Sequence, residues 1–188
     1  SNVETSQCSA PADTARALFG PQHYEEKYAY PLIVWLHDAG DDEWQLLRTM
    51  PLVSLRNYVA VAPRGIPLPA ADGGAHWSWS HEAEHFDLAE QGVFEAVEAA
   101  RAKYHVNPRR VFLVGVGAGG TMALRIAMTW ADQFAGVASF GGGLPDPRAT
   151  PFGHWQQVRR LPVLLAVGSE SKAYAPKKAC EDLQLLRI

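Results

Sequence analysis

The chain has 188 residues, enough for one domain with a substantial core. An apolar fraction of 47%, a charged fraction of 20% and a net charge of −3 leave no basic footprint for nucleic acid or an anionic membrane. Two distant cysteines, Cys8 and Cys180, give neither a disulfide framework nor a metal-thiolate spacing, and no apolar stretch approaches the length of a membrane span. The expectation is a single cytoplasmic domain over residues 1–188 with no cofactor.

Residues 1–30 read as polar and irregular, with one short helix from Ala12 to Leu18. Pro31 to Leu36 is a continuous apolar run, the mark of a buried strand, and runs into a loop at His37-Asp38-Ala39-Gly40. Helical spacing over Glu43–Ser54 puts Trp44, Leu47 and Met50 on one side. Tyr58–Ala62 is a second strand, and residues 64–80, rich in Gly, Pro, Ala and Trp, read as a long loop. Asp87 is placed to cap a helix to about Tyr104, with Val93, Phe94, Val97 and Ala100 inward. Val111–Val114, Gly136–Phe140 and Pro162–Val167 are further strands, with helices expected over 118–131 and 176–186. Strands alternating with helices specify an α/β fold with a doubly wound, mostly parallel sheet. His37, Gly117, Gly141 and Ser169 each follow a strand, so they share the carboxyl edge where such sheets bind ligands.

Gly115-Val116-Gly117-Ala118-Gly119 stands between an apolar strand and a helix, the setting of a nucleophile elbow, but its central residue has no side chain. This turn, the strand running into His37 and the helix Gly119–Leu124 together resemble the α/β-hydrolase superfamily. Within it they are most similar to the phospholipase/carboxylesterase, acyl-protein thioesterase-like branch. The resemblance covers about residues 30–188. It implies another strand and helix after residues 176–186, beyond the Ile188 at which this sequence stops. It places the nucleophile at Gly117 and the acid at Ser171, with Glu170 adjacent, and it puts a histidine after the acid. The seven histidines are His23, His37, His76, His81, His85, His105 and His154, all before residue 168.

The resemblance also places oxyanion-binding amides at Ala39 and Ala118. Asp38 replaces the family's glycine beside His37 and would oppose an anion there unless it points to solvent. Trp77 and Trp79, in the long loop, either line an apolar pocket or cover the sheet edge. His81-Glu82-Ala83-Glu84-His85 matches a zinc-helix pattern, with a solvated, charged rim as the alternative. Cys180 reads as a packing residue.

The leading expectation is a catalytically impaired esterase homologue, a pseudoenzyme, that keeps a pocket for a small acyl or ester-like ligand or an interaction surface. One alternative is an active hydrolase with a non-standard nucleophile or a longer parent chain. Another is a metal-dependent hydrolase acting through His81 and His85. The Pro162–Val167 edge implies either cover by the N-terminal segment or a homodimer. Serine restored at Gly117 is expected to cost little stability.

Overall fold

The computed structural model describes residues 15–70, 73–146 and 155–186. Eight strands and five helices follow one another along these residues: β1 (Arg16–Phe19), β2 (Tyr30–Leu36), α1 (Gln45–Val53), β3 (Val59–Pro63), β4 (Ile66–Pro69), β5 (Ala75–Ser78), α2 (Ala83–Lys103), β6 (Val106–Val116), α3 (Ala118–Thr129), β7 (Gly136–Phe140), α4 (Trp155–Val158), β8 (Val163–Ala166) and α5 (Pro176–Leu186). Six strands form one sheet in the order β1-β3-β2-β6-β7-β8, and β4 and β5 pair separately. Every pairing in the large sheet is parallel except that of β1 with β3.

Parallel neighbours point their side chains to the same face, so the register separates the two faces of the sheet. Leu32, Val34, Leu36, Val111, Leu113 and Val137 face α2 and α3 in the main core. Opposite them, Trp35, Ala60 and Ala62 meet Leu46 and Met50 of α1 in a second, smaller core. Among the described residues this second face is bare beyond β2. Ile33, Phe112, Val114, Ala138 and Leu164 line an open apolar groove of about 360 Å³.

Several expectations are corrected. Arg16–Phe19 is a strand, not a helix, because its backbone groups pair with Ala60–Pro63; residues 12–14 lie outside the described residues. That strand covers the β3 edge, at the opposite side of the sheet from β8; the expected cover of β8 by the N-terminal segment would fall to residues 1–14, which lie outside the described residues. Residues 64–80 contain the β4–β5 hairpin, in which Pro67 and Pro69 fit a two-stranded ladder with open edges. Helix α2 begins at Ala83, before Asp87, with Glu82 at its cap. On α1 the buried pair is Leu46 and Met50, whereas Trp44 is 50% exposed and Leu47 37%. Cys180 is exposed rather than packed.

Candidate active site

The chain turns from β6 into α3 at Gly117, with φ 51° and ψ −118°. That conformation is open to glycine and strained for other residues. The Gly117 N–H donates to the Phe140 carbonyl at 2.9 Å, and the Gly117 carbonyl accepts from the Thr121 N–H at 3.2 Å, so the turn is fixed from both sides. Gly119, two residues further, lets α3 lie against the end of β2; a side chain there would strike the Leu36 and His37 carbonyls.

The space beside Gly117 is filled by Asp38. A Cβ built at 117 would lie 2.6 Å from Asp38 Cγ and 2.9 Å from Oδ2, and would overlap Oδ1. Asp38 Oδ1 accepts the Ala39 N–H at 2.7 Å and the Ala118 N–H at 3.3 Å. Both amides singled out in the sequence therefore converge on one point, and a carboxylate oxygen of the chain itself occupies it. The partial positive charge at the start of α3 favours an anion at that position. Asp38 does not turn to solvent, and a serine at 117 could be accommodated only if Asp38 left. The expectation of a nearly cost-free Gly117→Ser exchange is corrected accordingly.

His37 is wholly buried and does not face the cavity. Its Nδ1 lies 2.7 Å from the Asp38 carbonyl, and its Nε2 accepts the Gly65 N–H at 2.9 Å. A carbonyl only accepts and a backbone N–H only donates, so the ring is neutral with its proton on Nδ1. Burial holds the His37 pKa below its ordinary value. With both nitrogens engaged it has no lone pair for a nucleophile. Its role is to tie the loop after β2 to the loop after β3.

The tryptophans share that structural role. Trp79 is buried and donates its Nε1–H to the His37 carbonyl at 2.8 Å, with the two rings 5.1 Å apart. Trp77 lies under the Arg64 guanidinium at 4.7 Å, and its carbonyl accepts the Gly40 N–H at 2.9 Å. Arg64 is in turn paired with the buried Glu43. Burial alone would raise the Glu43 pKa, but the Arg64 hydrogen bonds outweigh it and hold it low. Neither tryptophan lines the cavity; they cover the end of the sheet.

A cavity of about 670 Å³ opens in front of Gly117. Asp38, Ala39, Gly117, Ala118 and Ser171 line it, and Glu170 does not. Ser171 Oγ accepts the Tyr174 N–H at 3.3 Å, so the position where the resemblance puts an acid serves a turn. The far wall carries residues that sequence reasoning missed. Asp182 is 1% exposed and accepts from the Leu144 N–H at 3.0 Å, the Tyr174 hydroxyl at 2.8 Å and Lys178 Nζ at 3.0 Å. Burial and the Asp182 hydrogen bond push the Tyr174 pKa up, and Asp182 also raises that of Lys178. The only sequence signal for this group was the four-residue helical spacing of Lys178 and Asp182.

His81 and His85 are not presented together. His81 precedes α2, and Arg125 Nη1 donates to its carbonyl at 2.7 Å and lies 3.4 Å from its Nδ1. A guanidinium at that distance opposes a second cation. His85 is within the helix, 3.5 Å from Glu82. Among the described residues no group of three or more His, Cys, Asp or Glu side chains could hold a metal.

The six-stranded, mostly parallel sheet and the strand–turn–helix at Gly117 define an α/β-hydrolase fold. Residues 23–176 match the phospholipase/carboxylesterase family, and the chain belongs to it. It is 36% identical over 128 residues to NocK of Nocardia uniformis subsp. tsuyamanensis, named as an esterase. The match takes 63% of this chain and 35% of NocK, so the chain spans about a third of that relative's length. Acyl-protein thioesterase 2 of Zea mays superposes with a TM-score of 0.67 at 22% identity, over 93% of this chain and 84% of that one. The carboxylesterase of Bacillus cereus gives 0.69 at 16% identity, over 94% and 81%. Among the described residues no helix is long and apolar enough to cross a membrane.

Proposed function

We propose that this chain is a catalytically impaired member of the esterase family that retains the ligand cavity beside its former nucleophile elbow. The observation that carries the reading is the Asp38 carboxylate, which takes both convergent amides and the volume beside Gly117. Ester hydrolysis by this fold needs a nucleophile, a base and free amide donors for the oxyanion. At Gly117 there is no attacking atom. His37, the histidine closest in sequence to Asp38, spends both ring nitrogens on backbone groups. The oxyanion position holds a negative charge already. These losses are mutually consistent: without serine there is room for the carboxylate, and with the carboxylate an oxyanion is repelled. The cavity itself persists, with Val116, Phe140 and Leu144 as an apolar wall suited to a carbon chain.

The test is turnover of short-chain p-nitrophenyl esters and labelling by a fluorophosphonate serine probe. Loss of a triad nucleophile costs on the order of a million-fold in kcat. We expect no turnover above background and no specific labelling. Label mapped to Ser78, Ser80, Ser139 or another serine would overturn the reading in favour of an active hydrolase with a different nucleophile.

A further inference from the structure

We propose that the cavity in front of Gly117 binds a small organic cation, a primary ammonium on a short carbon chain, with Asp38 as its counter-ion. The inference rests on the retained-cavity reading above and adds the charge of the ligand. Asp38 is half-buried at the base of the cavity. Its Oδ1 is committed to the Ala39 and Ala118 amides. Among the described residues its Oδ2 has no hydrogen-bond partner, so one oxygen of a firmly oriented carboxylate is left to meet a donor from the cavity.

The remaining charges on the wall leave this one uncompensated. Among the described residues the cavity carries two acids, Asp38 and Asp182, and one base, Lys178, giving a net charge of −1. Lys178 is 3.0 Å from Asp182 Oδ1 and 3.9 Å from Glu181, so its ammonium is already engaged. Asp182 is satisfied by three donors. No described residue of the wall neutralises Asp38, which leaves that part to a ligand. An anionic ligand would meet the carboxylate and find neither amide free. An ammonium would donate to Oδ2 while its carbon chain lay along Val116, Phe140 and Leu144. Relative to an ester-hydrolysing site, which stabilises developing negative charge here, the pocket has inverted its preference.

The experiment compares n-hexylammonium with hexanoate, matched in length and opposite in charge, by amide NMR titration of the intact chain near neutral pH. Saturable shifts at Ala39, Gly117 and Ala118 are expected with n-hexylammonium and not with hexanoate. Asp38→Asn keeps an oxygen acceptor for both amides and removes the charge, so it should weaken n-hexylammonium binding about tenfold or more. Amide shifts remote from the cavity report whether that variant is folded; if it is not, the comparison of the two ligands on the unmodified chain decides. Hexanoate binding as tightly as n-hexylammonium, a folded Asp38→Asn with unchanged affinity, or no cavity shifts with either probe would overturn the proposal. Ester turnover would instead defeat the impaired-esterase reading, so the two failures are separable.

Discussion

Gly117 and Asp38 are one device made of two residues. The glycine accepts a positive φ without strain, and its missing side chain leaves the volume that the carboxylate fills. Either substitution alone should hurt. A serine at 117 carries a backbone cost of about 1–3 kcal/mol and also evicts Asp38 from its two amides. Asp38→Gly leaves those amides unpaired by protein and costs about 1 kcal/mol. Together the two substitutions should cost less than their sum, because the clash is gone once Asp38 is removed. The measurement is a double-mutant cycle by chemical denaturation, with a favourable coupling of about 1 kcal/mol or more expected for contacting residues. Additive penalties would mean that Asp38 is not held where the serine would go. Even the double variant should stay inactive on esters, since among the described residues no histidine lines the cavity to take the serine proton.

At the scale of elements, the buried ring of His37 joins β2 to the chain between β3 and β4, through the Asp38 carbonyl on one nitrogen and Gly65 on the other. This gives the fold a pH dependence of definite sign. Burial lowers the folded-state pKa of His37 below the roughly 6.5 of an unfolded histidine. Above that pH both states are neutral and the full stability is present. Below it the unfolded chain binds a proton that the folded chain excludes, so stability is lost as pH falls toward the folded value. The loss is about 1.4 kcal/mol per pH unit for one such group. His81, whose pKa is lowered by burial and by Arg125, adds to the same trend. Denaturation midpoints should be flat above neutrality and decline below it, with a shallower decline in His37→Gln; stability that rises on mild acidification would contradict the assignment. The elements themselves were largely legible: Gly136–Phe140 was read with its observed bounds, since a short apolar strand between glycine turns has few alternatives. The β4–β5 hairpin was not, because its prolines and glycines carry a loop's composition and only the pairing of Ile66 with Ser78 through Pro69 with Ala75 makes it a ladder. The site divides the same way. Backbone features, the turn at 117 and the amides of 39 and 118, follow from local pattern. Where Asp38, His37 and Asp182 send their side chains depends on contacts 80, 28 and 38 residues away, which no local spacing encodes.

In the molecule as its described residues show it, the sheet is covered on one face and only partly covered on the other. Helices α2 and α3 cover the first along β2, β6 and β7, whereas α1 covers only the β1, β3 and β2 part of the second. Phe112, Val114, Ala138 and Leu164 are left as a contiguous apolar strip, with Leu164 54% exposed and Phe140, on the same face, 41% exposed. Parallel sheets occur almost entirely with both faces covered, because each bare apolar strip costs about 25 cal/mol per Å² in contact with water. Next to it, β8 pairs only with β7 among the described residues and presents a free edge. A strip and an edge of this kind on the 188-residue chain predict concentration-dependent self-association. The face and the edge make different predictions about substitution. Leu164→Glu places a charge on the strip without touching the strand's backbone groups, so it should abolish association through the face and leave pairing through the edge intact. Sedimentation velocity over a range of concentrations reads the difference. Association of the unmodified chain that disappears in Leu164→Glu identifies the face as the contact. Association that survives the substitution assigns it to the β8 edge, and a chain that stays monomeric at every concentration refutes both, since hydrophobic surface of this extent would then be tolerated in water.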